Sequence, residues 1–123
     1  MKLTLNSIMI AEDVLNKLAD KQGLKAKTSF ALAMNIKALS EPIHTFENVK
    51  NDLVRKYGEK EKEGEDTYIV NKNSKNFGKF VEEYSSLMET ETDVKIKKIK
   101  IDELDDTGLS PNEFIAISFM IEE

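Results

Sequence analysis

Residues 28–58 read TSFALAMNIKALSEPIHTFENVKNDLVRKYG, and the spacing of apolar positions in this stretch decides the fold. Leu32, Ile36, Leu39, Ile43, Phe46, Val49, Leu53 and Tyr57 recur at steps of three and four, the period of one helix face. One long amphipathic helix is expected, capped by Thr28 and Ser29 and ended by Gly58. Pro42 is the one conflict inside it, because proline lacks an amide donor and clashes with the carbonyl four residues back. Two readings compete: Ser40 and Glu41 end one helix and Pro42 opens the next, or a single helix continues with a kink. The apolar phase from Leu39 through Ile43 to Phe46 is unbroken, which favours one kinked helix.

Toward the N-terminus, residues 1–5 have the composition of a short strand, and Asn6 and Ser7 supply oxygens for the free amides of a helix. Ile8, Ala11, Val14, Leu15, Leu18 and Ala19 mark the buried stripe of that first helix, and Gly23 stands just past its end. Beyond the long helix, residues 59–66, EKEKEGED, hold five acids, two lysines and a glycine and read as a solvated turn. Residues 67–70, TYIV, are β-branched and aromatic, the signature of a short strand. Asn73 and Ser74 then cap a helix whose Phe77, Phe80, Val81, Tyr84, Leu87 and Met88 repeat at three and four. It is expected to fold back antiparallel on the long helix and bury the two stripes together.

Residues 93–101, DVKIKKIKI, alternate apolar and lysine, so a strand with one wet face is expected, paired with residues 68–70. The alternation slips at Lys97 and Lys98, so Val94 and Ile96 fall on one side and Ile99 and Ile101 on the other, as a bulge or twist would place them. Residues 105–108 carry turn chemistry. Ser110, Pro111 and Glu113 form a capping box with proline at the first helical position. A final helix through residues 114–121, FIAISFMI, follows, and it is apolar nearly all round. Burial on most sides or packing against a second copy is the expected consequence, with Phe114, Ile117, Phe119, Met120 and Ile121 as the oligomer interface. The resulting fold class is α+β, mainly helical, in a single domain over residues 1–123: a long kinked helix in an antiparallel helical hairpin, a small two-stranded sheet and an apolar C-terminal helix.

Composition narrows the function. The chain has 123 residues, 40% hydrophobic and 33% charged, a balance that folds rather than stays disordered. A net charge of -5 opposes binding to duplex nucleic acid. The absence of cysteine removes disulfides, thiolate metal sites and cysteine nucleophiles. Residues 1–14 lack the extended apolar run and small-residue cleavage site of a signal peptide, and no apolar run reaches the length of a membrane span, so a soluble protein is expected.

The residues that carry chemistry are few. His44 is the single histidine, and its helical neighbours Ser40, Asn48 and Asn51 place it on the polar face with no nucleophile or orienting acid. Residues 102–113 imitate a calcium loop, yet Leu104 occupies its third place and glycine comes one place late, at Gly108. Glycine-rich phosphate loops and spaced carboxylate pairs are absent as well. No enzyme activity, metal or cofactor is expected. What remains is basic. Arg55, the one arginine of the chain, and Lys56 end the long helix, where cations also complement the helix dipole. Lys95, Lys97 and Lys98 line the lysine strand. Together these five are the candidate site for an anionic ligand, lined between protomers where a signal is captured, with small phosphorylated ligands preferred to duplex DNA.

The order of segments NKLADK, LVRKYGEK, TYIV, SSLMETETDV, IKKIKIDEL, LSP and FMIEE resembles that of a group of small proteins of phages and prophages in low-GC Gram-positive bacteria. The resemblance spans nearly the whole chain and rests on structural motifs. It implies a phage-encoded protein in the host bacterial cytoplasm or the virion. The expected function is a non-catalytic inhibitor of a host defence system, which sequesters a nucleotide-derived second messenger or docks on a defence protein, and which forms a homo-oligomer. The alternative is an accessory of head or tail assembly with a phage structural protein as partner.

Overall fold

A computed structural model describes residues 1–60 and 68–122. The acidic turn expected at residues 59–66 lies mostly outside the described residues, as does Thr67. The chain is mainly helical, and its helices carry three small strand pairs. Strand β1 (Lys2–Thr4) leads directly into helix α1 (Leu5–Ala19). The cap is Thr4, whose hydroxyl accepts from the Ser7 amide at 3.1 Å. The helix thus starts earlier than Asn6 and Ser7 suggested, because Thr4 already supplies the oxygen and the extended backbone that a cap needs.

Helix α2 (Ala26–Tyr57) runs through Pro42 as one element. Its N-cap is Lys25, with no side-chain hydrogen bond. Thr28, expected as a cap, is instead buried one turn inside the helix and donates to Glu103 Oε2 at 3.2 Å. Gly58 ends α2 because strand β3 (Tyr68–Ile69), paired with β2 (Glu59–Lys60), comes too close for a side chain. A Cβ on Gly58 would collide with the carbonyls of Val54 and Ile69.

Helix α3 (Phe77–Glu89) starts after the expected Asn73 and Ser74 cap, since those residues form a preceding turn in which Ser74 Oγ accepts from the Asn76 amide. It rests on α2 through Tyr84, whose ring lies 6.2 Å from that of Phe46, and through Lys56, 3.9 Å from Glu83. No α3 residue is fully buried, so this helix covers the core rather than forming it. The core proper joins Ile8, Leu15 and Leu18 of α1 to Leu32, Leu39 and Phe46 of α2, and draws in Val94, Ile99, Leu104, Ile117 and Met120 from the C-terminal third.

That last third departs most from expectation. The lysine-rich run does not form one strand, and it does not pair with residues 68–70. Only its first residue, Asp93, belongs to a strand there, the last position of β4 (Glu91–Asp93), antiparallel to β1, and near its end Ile99–Lys100 forms β5, parallel to β6 (Ile121–Glu122). Three short strand pairs replace the single sheet. The slip in alternation at Lys97 and Lys98 marks the irregular segment between them.

The 114–121 helix is also shorter than expected. The capping box forms, with the Glu113 amide donating to Ser110 Oγ at 3.2 Å and the Ser110 amide donating to Glu113 Oε1 at 3.0 Å. Yet α4 spans only Pro111–Ala116, and a 3-10 turn (Ser118–Met120) then redirects the chain into β6. Another 3-10 segment, Ile101–Thr107, is closed by Gly108 at φ 74°, the left-handed region that favours glycine. Among the described residues no helix is long and apolar enough to cross a membrane.

Candidate functional site

Asn35 organises the surface that matters most. It sits on the buried stripe of α2, three residues after Leu32 and four before Leu39, and it is fully buried. A buried amide needs partners, and it finds them on the lysine segment. Asn35 Oδ1 accepts from the Lys97 amide at 2.7 Å, and Asn35 Nδ2 donates to the Lys97 carbonyl at 3.0 Å. The side chain thereby supplies to Lys97 both the donor and the acceptor that a neighbouring strand would have supplied. Met120 Sδ lies beneath it, 3.7 Å from Nδ2.

This staple holds residues 94–97 beside α2 and leaves a trough between them. One end, about 450 Å³, is walled on the α2 side by Ala38, Glu41, Pro42, Thr45, Phe46 and Val49, with β4, Val94, Leu87 and Leu5 opposite. The other end, about 940 Å³, lies among Met34, Lys37, Lys95, Ile96 and Lys97. Both ends share Ala38, Glu41, Asp93 and Val94 as neighbours. The charges of the trough are graded. Glu41 and Asp93 border both ends, Glu91 borders the smaller end alone, and Lys37, Lys95 and Lys97 border only the larger one. Phe30 stands exposed at the lysine end, with Lys97 Nζ 5.9 Å from its ring centroid.

The five cations expected to act together are dispersed within one chain. Lys95 and Lys97 line the trough, whereas Lys98 turns away and donates to the Phe119 carbonyl at 2.8 Å. Arg55 and Lys56 stand at the far end of α2. At a rise of about 1.5 Å per residue they lie about 30 Å from Asn35 and its lysine segment. Lys56 is engaged there by Glu83 and by the Tyr57 ring, its ammonium 5.0 Å from the ring centroid. The Tyr57 hydroxyl and then the Glu83 carboxylate hold the Lys56 pKa above its ordinary value. The two-walled anion site therefore does not assemble within a single protomer. Lys37 takes the place beside Lys95 and Lys97, and its position one turn below Glu41 on the α2 face gave a signal, once that face was known to look onto the lysine segment.

For the apolar terminal segment, burial on most sides is the outcome at two positions expected at an oligomer interface. Ile117 and Met120 are completely buried within one protomer, because the 3-10 turn tucks both under α1 and α2. Phe114, Phe119 and Ile121 are half-buried against the same core. The apolar residue left exposed on this segment is Ile115, at 70%. His44 is exposed. Among the described residues no group of three or more His, Asp or Glu side chains is placed to hold a metal ion. Comparisons with protein-family models, with curated proteins and with solved structures return no match.

Proposed function

We propose that the chain is a non-catalytic binding protein that acts by docking on a protein partner, with the trough between α2 and residues 91–97 as its binding surface. The observation that carries this reading is the lining of the trough: apolar walls at Pro42, Val49 and Leu87, with Glu41, Glu91 and Asp93 along it and Lys37, Lys95 and Lys97 at its larger end. Such a surface suits a side-chain-rich partner, because a polyphosphate would meet Glu41, Glu91 and Asp93 alongside the lysines. The resemblance to phage proteins makes a host defence protein the expected partner, met in the host bacterial cytoplasm. Capture from infected cells followed by mass spectrometry tests this. A defence protein recovered with the wild-type chain and lost with Val49→Asp supports the proposal. Recovery of head or tail proteins supports the assembly alternative, and equal recovery with Val49→Asp removes the trough from either.

A second reading, capture of a nucleotide-derived signal, is favoured by one observation: exposed Phe30 beside Lys97, which itself lines the trough with Lys95 and Lys37, so that a base and a phosphate would each find a partner. Calorimetry with cyclic nucleotides and adenosine-diphosphate-ribose derivatives tests it. Heat that disappears in Phe30→Ala supports nucleotide capture, and no heat with any of these ligands removes it.

A further inference from the structure

The pairing of β4 with β1 fixes where its other edge looks. At one end of the ladder the Val94 amide donates to the Met1 carbonyl at 2.8 Å, and at the other the Leu5 amide donates to the Thr90 carbonyl at 2.9 Å. The register between them pairs Lys2 with Asp93, Leu3 with Thr92 and Thr4 with Glu91. Hydrogen-bonded and non-bonded pairs alternate along an antiparallel ladder. Since Met1–Val94 and Leu5–Thr90 are bonded pairs, Leu3–Thr92 is the bonded pair between them. The main-chain N–H and C=O of Glu91 and Asp93 therefore point away from β1. β4 also borders the trough, which Glu91, Thr92 and Asp93 line together with Pro42, Thr45, Phe46 and Val49 of α2.

The α2 wall of the trough has an acceptor of its own. Proline has no N–H, so the Ala38 carbonyl, four residues before Pro42, lacks its α-helical donor, and Ala38 lines both ends of the trough. An open strand edge is ordinarily guarded by charge, and Glu91 and Asp93 supply charge. A guard needs no apolar wall beside it, however, and here Pro42, Val49 and Leu87 provide one.

We infer that the trough takes an extended peptide segment of a partner protein, which adds as a strand to the free edge of β4. This rests on the reading of the trough as the binding surface. Backbone hydrogen bonds to Glu91 and Asp93 supply part of the affinity, and alternate side chains of the segment reach the α2 wall. Charge complementarity selects the sequence: a lysine or arginine over Glu91, Asp93 and Glu41, an apolar residue against Pro42 and Val49, and an aspartate or glutamate toward Lys37, Lys95 and Lys97.

The test pans a display library of random twelve-residue peptides against the full chain and follows amide hydrogen exchange by NMR. In the free protein the Glu91 and Asp93 amides exchange at least tenfold faster than the Thr92 amide. The selected peptides carry separated basic and acidic residues around an apolar one, and adding one of them slows Glu91 and Asp93 at least tenfold. Glu91→Pro removes one edge donor, and the preceding Thr90 is already extended, with ψ 132°, as the residue before a proline requires. It weakens peptide binding at least tenfold while leaving the Leu3 and Thr92 amides protected. The exchange measurement on the wild-type chain needs no variant, so it decides the matter even where Glu91→Pro fails to fold.

Peptides that bind without protecting Glu91 and Asp93 overturn strand addition. So does concentration-dependent protection without peptide, which identifies a second copy of the chain as the occupant. A library that yields no binder overturns the peptide inference; if partner capture is still lost with Val49→Asp, docking through the trough stands without it. Partner capture unaffected by Val49→Asp overturns the docking reading itself.

Discussion

Two parts of one run, residues 91–97, meet the same face of α2 and meet it differently. At Lys97 the gap is closed, because Asn35 fills it with an amide that satisfies both main-chain groups. At β4 the gap is open: α2 presents Ala38, Glu41, Pro42, Thr45, Phe46 and Val49 there, and among the described residues neither Glu41 nor Thr45 bonds the main chain of residues 91–93 as Asn35 bonds that of Lys97. A polar residue bridges a helix and an extended segment only where it stands on the buried stripe between them, as Asn35 does. The terminal segment reinforces the closed part from below through Met120. Nothing comparable stands under the open part.

The comparison breaks most visibly at its closed end. Asn35→Ala strands the Lys97 N–H and C=O in a partly buried place and is expected to cost about 3 kcal/mol, read as a lower urea midpoint at unchanged slope. Met120→Ala, which empties space beneath Asn35, should cost about 2 to 3 kcal/mol. The double variant should fall short of the sum by at least about 0.5 kcal/mol, since the two side chains touch. Strict additivity would show that Asn35 holds Lys97 without help from the terminal segment.

Smaller effects sharpen the picture. Ser110→Ala removes the hydroxyl half of the capping box at the start of the terminal segment and should cost about 1 kcal/mol. The same box sets a pH dependence. The Ser110 amide, and then Lys17, hold the Glu113 pKa below its ordinary value. A depressed carboxylate stabilises the fold above the unfolded glutamate pKa, and that contribution fades as pH falls through the lower folded value. Thermal melts between pH 7 and pH 3 should thus show a loss on the acid side of the usual glutamate range, which Glu113→Gln lacks. The smallest effect belongs to the open end: Glu91→Pro should change stability by less than about 0.5 kcal/mol, because the amide it removes serves no bond within the chain. A large loss there would mean that β4 is closed after all.

The sequence disclosed the helices because periodicity over four or more turns outweighs local accidents, even at Pro42. It did not disclose the strand pairing. Pairs of two or three residues, such as Ile99–Lys100 with Ile121–Glu122, carry too few side chains to state a register. The apolar run FIAISFMI was read as helix because helix and buried strand are alike in a short apolar stretch. The β-branched Ile115, Ile117 and Ile121 were the clue to its early end. Of the candidate site, Lys95 and Lys97 were legible from their clustering. Asn35 was not singled out, although a polar residue in step with Leu32 and Leu39 is a mark of a buried hydrogen bond. The separation of Arg55 from the lysines followed only once the lysine segment was known to meet the other half of α2.

The pairing of β1 with β4 joins residues far apart in the chain, in a synthesis that proceeds at about 5 to 20 residues per second. One wall of the trough, β4, takes its place only when Lys2–Thr4 finds Glu91–Asp93, and the staple at Lys97 must wait as long. While α1 and α2 emerge from the ribosome, the chain has no trough. The trough thus forms late, and the docking proposed for it requires that synthesis has passed β4.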